Sequence, residues 1–81
     1  MEEFFNGDEI PMGAADQGFK VKIGTGTASI QLQAQDEGFD EIEDMGFTAT
    51  GTGLLGFAGG TVKIVLTGDA RFFMATARGR L

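Results

Sequence analysis

The sequence predicts an all-β fold, a small antiparallel β-sandwich or barrel of six to seven short strands with an extended N-terminal arm. Three observations predict it. From Phe19 to Gln35 apolar and polar residues alternate, interrupted by one turn, which is the period of half-buried strands and not of a helix. Glycine occurs 14 times in 81 residues and proline once, spread without a collagen period, as suits many strands joined by tight turns. The stretch from Thr61 to Thr76 reads as two runs of β-branched and aromatic residues around Gly68-Asp69, a pair suited to a two-residue hairpin loop. Residues 1–18 are assigned to the arm and residues 19–81 to a single β domain.

In chain order, Met1 to Gly18 supplies no apolar residues three and four apart over two turns, so it reads as an extended arm with turns. Phe4, Phe5, Ile10 and Met12 favour an arm docked on its own domain or on a neighbour over a loose terminus. Phe19, Val21 and Ile23 form the apolar side of the first strand, with Lys20 and Lys22 opposite. After Gly24-Thr25-Gly26, the residues Ala28, Ile30, Leu32 and Ala34 face inward, while Ser29, Gln31, Gln33 and Gln35 face outward. The row of glutamines is either a solvated strand face or a flat hydrogen-bonding face for a partner. Asp36-Glu37-Gly38 fits a hairpin loop, Phe39 to Ile42 a short strand, and Glu43 to Gly46 a break. Phe47 to Thr50 and Leu54 to Phe57 read as further strands, with Gly51-Thr52-Gly53 turning between them.

In the closing hairpin, Thr67 would pair with Ala70, placing Ile64 opposite Phe73, Val62 opposite Ala75 and Val65 opposite Phe72. One face then carries Val62, Ile64, Leu66, Phe73 and Ala75 and belongs in a core. The other carries Lys63, Val65, Phe72 and Met74, too apolar for a fully wetted surface and too charged for a sealed interior. Such a second face reads as an interface between subunits, with Val65, Phe72 and Met74 as anchors and Phe4 and Phe5 as a latch.

A domain this short buries only about 60% of its unfolded surface and usually leans on disulfides, metal or a partner. Cysteine and histidine are both absent, which removes disulfides, thiolate or imidazole metal sites and most nucleophile-plus-base arrangements. Self-association is the remaining support. The net charge of −6 excludes counterion release onto phosphate as a driving force, so nucleic acid is not the expected partner. No apolar run reaches membrane-spanning length and the first residues are acidic, so neither membrane insertion nor export by a signal peptide is expected.

Local candidate sites are few. Asp36, Glu37, Asp40, Glu41, Glu43 and Asp44 form an acidic cluster whose spacing does not match the helix-loop-helix calcium pattern, and a solvated loop is the default; no metal or other cofactor is assigned. Gly51-Thr52-Gly53-Leu54-Leu55-Gly56 matches a dinucleotide fingerprint by letter, but a β-branched strand follows where a helix is needed. Arg71, Arg78 and Arg80 near one terminus and Glu2, Glu3, Asp8 and Glu9 near the other are either solvated ends or a head-to-tail pair between subunits. No catalytic residue is assigned, and no serine sits in a strand-turn-helix elbow.

The runs Ile30 to Phe39, Phe47-Thr48-Ala49-Thr50-Gly51 and Gly60 to Ile64 resemble the small β-sandwich proteins of tailed bacteriophage virions, over about Phe19 to Ala77. The resemblance implies a non-enzymatic structural protein of the capsid decoration or cement type. It would be made in the host cytoplasm and carried in the virion, as a trimer bound to the major capsid protein or other virion proteins. The alternative is a carbohydrate- or receptor-binding sandwich such as a tail or fibre component, against which stands the lack of any Trp or Tyr platform.

Overall fold

Among the described residues, eight antiparallel strands form two four-stranded sheets: β1 Glu2–Phe4, β2 Glu9–Pro11, β3 Gln17–Lys22, β4 Thr27–Gln33, β5 Asp40–Phe47, β6 Gly51–Leu55, β7 Thr61–Thr67 and β8 Arg71–Met74. This is a computed structural model, and it describes residues 1–13, 15–33, 38–57 and 59–75. Sheet A has the order β1-β8-β3-β6 and sheet B the order β2-β7-β4-β5. The pairs β1/β2, β8/β7, β3/β4 and β6/β5 hold the same places in the two orders, and each pair is consecutive in sequence. That is the strand order of a jelly roll, a sandwich built from two Greek keys. The registers gather the four connections that cross between sheets within these pairs at one end of the molecule, where Lys22 lies opposite Arg71 and Thr27 opposite Thr67.

Alternation explains the core. Phe19 and Val21 of β3, Ala28 and Ile30 of β4, Val62 and Ile64 of β7, and Phe72 and Met74 of β8 all point between the sheets and are buried. Phe19 stacks on Phe72 with ring centroids 5.5 Å apart and meets Phe47 of the other sheet edge-on at 5.7 Å, so one aromatic column ties the sheets together.

The closing hairpin is corrected. Residues 67–70 do form a tight turn, with Gly68 at φ 63° and the Ala70 N–H donating to the Thr67 carbonyl at 3.2 Å. The strands it joins then part into different sheets: β7 runs between β2 and β4, β8 between β1 and β3. The pairings Ile64 with Phe73 and Val65 with Phe72 therefore do not exist. A flat hairpin would leave Phe72 and Met74 on an uncovered face, whereas the arch turns the apolar side of both strands into one core. Phe73, not Phe72, faces outward.

Three other expectations change, the first being that Phe47 to Thr50 is not a strand of its own: Phe47 ends β5 and Thr48 to Thr50 bend into β6. Glu43 to Gly46 does not break the strand; β5 continues through it by a bulge, since Ser29 faces Gly46 and Gln31 faces Glu41 while β4 advances by two residues. Asp44 takes φ 64° there, and Ile42 and Met45 stay packed against the core. Gly51 to Gly53 is strand rather than turn: Gly53 lies opposite Phe19, and a Cβ on it would come 2.7 Å from the Phe19 ring. Glycine lets the ring lie flat on the sheet. The segment 1–18 contributes β1 and β2, an edge strand for each sheet. The proposed loop at Asp36-Glu37 and the arginines at 78 and 80 lie outside the described residues.

Candidate functional site

The five residues expected at an interface are scattered. Phe72 and Met74 are sealed in the core and present no surface to a partner, which corrects their assignment to an outer face. Phe4 is half-buried against the core from the edge strand β1. Phe5 is 61% exposed where the chain leaves β1, and Val65 lies half-buried on the outer face of sheet B beside Ser29. No common surface joins all five.

The structure assembles a different surface, the outer face of sheet A. Because Phe72 and Met74 point inward, Arg71 and Phe73 point out; because Phe19 and Val21 point inward, Lys20 and Lys22 point out. Strand order then sets the rows. Glu3, Phe73, Lys20 and Thr52 lie side by side across β1, β8, β3 and β6, with Arg71 next to Lys22 in the row above and Gly18 next to Leu54 in the row below. Leu54 is 65% exposed.

Arg71 is held in place. Its Nε and Nη2 donate to the two carboxylate oxygens of Glu3, each at 2.9 Å, and its guanidinium lies 5.0 Å from the centre of the Phe73 ring. The paired guanidinium pulls the Glu3 carboxyl below its ordinary range, and Glu3 in turn raises Arg71. A contact between Arg71 and the acidic N-terminal residues thus exists, but inside one chain. Among the described residues, what remains on this face is two lysines with no carboxylate bonded to them, around an aromatic ring and an exposed leucine.

The other broad face has the opposite character. Glu9, Lys63, Gln31 and Glu41 form one row across sheet B, and Ser29 and Gln33 share the outer side of β4. Lys63 turns its ammonium onto the Phe39 ring at 4.6 Å, and among the described residues it makes no ion pair with Glu9 or Glu41. Asp40, Glu43 and Asp44 are further exposed carboxylates of β5. Among the described residues, no three carboxylates converge to hold a cation. A cavity of about 70 Å³ lined by Ile10, Met12, Gln17 and Met74 has room for about two waters, well short of a ligand pocket of ~300 Å³ or more.

The end that gathers the arches is fastened by one carboxylate. Asp69 Oδ1 accepts the backbone N–H groups of Gly26 at 2.9 Å, Thr25 at 3.0 Å and Gly24 at 3.3 Å. Beside it the Thr27 and Thr67 hydroxyls bond each other at 2.7 Å, and Thr67 Oγ1 accepts the Thr27 N–H at 2.9 Å. The Gly26 N–H above all, with those of Thr25 and Gly24, holds the Asp69 carboxyl below the ordinary aspartate range. A group lowered in the folded state stabilises at neutral pH, and that stabilisation is lost as pH falls through the lowered folded value. Asp69→Asn is therefore expected to unfold at lower urea than the parent at pH 7, with the gap closing as the pH becomes acid. An unchanged gap would mean the charge is not what fastens the arches.

Lys20, Lys22, Arg71 and Phe73 were each visible in sequence as polar or adjacent-aromatic positions. Their convergence was not, because it depends on β8 inserting between β1 and β3. No protein-family model, curated protein or solved structure matches the chain.

Proposed function

We propose that the chain is a structural assembly protein that docks through the outer face of sheet A, and, in the form its resemblance implies, a capsid decoration protein of a tailed phage. The observation that carries this reading is the Lys20, Lys22, Arg71, Phe73 and Leu54 face, a basic and aromatic patch on a chain of charge −6. Interface cores favour aromatic residues and arginine, and Arg71 already lies over Phe73 and is paired with Glu3, which lowers the side-chain entropy lost on docking. The molecule measures 32 × 31 × 19 Å, and its broad faces are large enough for the ~800 Å² per partner of a standard interface. Repetition of a modest contact over a symmetric shell multiplies its strength. Jelly rolls serve as capsid and lectin domains, which supports the reading by analogy of fold alone.

Antibody raised against the chain and applied to purified particles of the phage that encodes it is expected to label heads in a regular pattern. Chain left in the soluble lysate with particles unlabelled, or saturable binding on a glycan array, would overturn the reading in favour of a free or sugar-binding module.

A further inference from the structure

We infer that the outer face of sheet A docks on the outer face of sheet B of a second copy, so that copies stack head to tail. The inference rests on the assembly reading above and names the partner of the same face. Charge selects this occupant. Sheet A's outer face carries Lys20, Lys22 and Arg71 against the single acid Glu3, while the remaining described side-chain charges are Lys63 and nine carboxylates. Stacking A on A would set lysine rows against lysine rows, and B on B would set Glu9 and Glu41 against their copies. Only A on B brings opposite signs together.

Shape and polarity agree with the charges. Phe73 and Leu54 need an apolar or flat surface, and sheet B offers Val65 flanked by Ser29 and, one row away, Gln31. Gln31 and Ser29 donate and accept without a charge to desolvate. The glutamine row thus has a use as the flat half of the joint, with Glu41 and Glu43 at its edge toward the lysines. Because the two faces lie on opposite sides of the sandwich, one contact leaves both outer faces of the pair free. The interface is heterologous and propagates, closing only if a rotation per copy completes a ring.

Sedimentation velocity of the whole chain tests this. The weight-average mass is expected to rise past two copies with concentration at ~20 mM salt and to fall toward one copy at ~500 mM, where screening acts over a few ångströms. Lys20→Glu with Lys22→Glu is expected to weaken association by more than about a hundredfold, and Glu41→Lys with Glu43→Lys to do the same. All four positions are exposed, and circular dichroism checks that both variants fold. Mixing the two variants restores growth, since each then presents the sign its partner lacks. A wild type that stays monomeric at low salt, a mass that stops at two, or a Lys20/Lys22 variant that associates like the parent would each overturn the stacking. Particle labelling is a separate readout: a chain found on heads yet monomeric in solution sinks the stacking and leaves the assembly reading intact.

Discussion

Phe72→Ala lowers the free energy of unfolding by about 3–5 kcal/mol, the usual cost of emptying a core phenylalanine site. Phe73→Ala, one residue along, is expected to cost about 1 kcal/mol or less, the worth of a surface cation–π contact. The contrast follows from the arch. Phe72 is wholly buried between Phe19 and the neighbouring strands, and its removal opens a hole in the aromatic column that spans both sheets. Phe73 stands half-buried on the outer face with Arg71 over it. A domain of this length has a stability of roughly 4–12 kcal/mol, so the Phe72 variant sits near the edge of folding and the Phe73 variant does not. Urea titration followed by far-ultraviolet circular dichroism measures both. The reverse order would put Phe73 inside and restore the flat hairpin.

Gly26→Ala is expected to destabilise by about 3 kcal/mol or more, at the upper end of what overpacking costs. Gly26 is buried where the β3–β4 and β7–β8 arches meet, and a Cβ there would overlap the Thr67 carbonyl oxygen, with the Asp69 nitrogen only 3.0 Å away. Those are backbone atoms, and the Thr27–Thr67 bonds and the Asp69 carboxylate hold them in place. The arches cannot part to admit a methyl group without losing the N–H groups that Asp69 satisfies. Gly51→Ala is the control, because nothing lies within 4 Å of a Cβ at that position; a change within about 0.5 kcal/mol is expected. Equal melting temperatures for the two variants would show that the arches are not in contact.

The strands at Phe19 and Ala28 were legible because their alternation is complete: of the residues assigned inward, Phe19, Val21, Ala28 and Ile30 are buried, and Ile23 and Leu32 are partly buried against the same core. The turn at Gly68-Asp69 was legible for a similar reason, since its geometry is set by two residues. What misled was local chemistry with a distant cause. Glu43 to Gly46 looks like a loop until the bulge against Ser29 and Gln31 is seen. Gly51 and Gly53 look like a turn until Phe19 is placed across from them. The candidate interface failed at Phe72 and Met74 for one reason: a turn of the right length says how far the chain bends, not whether the strands it joins share a sheet.

The amino-acid sequence by itself determined that this protein is a β fold, which side of most strands is apolar, and that cations are scarce on an acidic chain. These follow from side-chain alternation and composition, which neighbouring residues settle among themselves. Only the tertiary structure decided that β7 and β8 face each other across the core, and that Arg71, Phe73, Lys20 and Lys22 share one surface. Strand partnership is chosen by residues far apart in the chain competing to bury the same apolar area, and no local pattern records which of them wins.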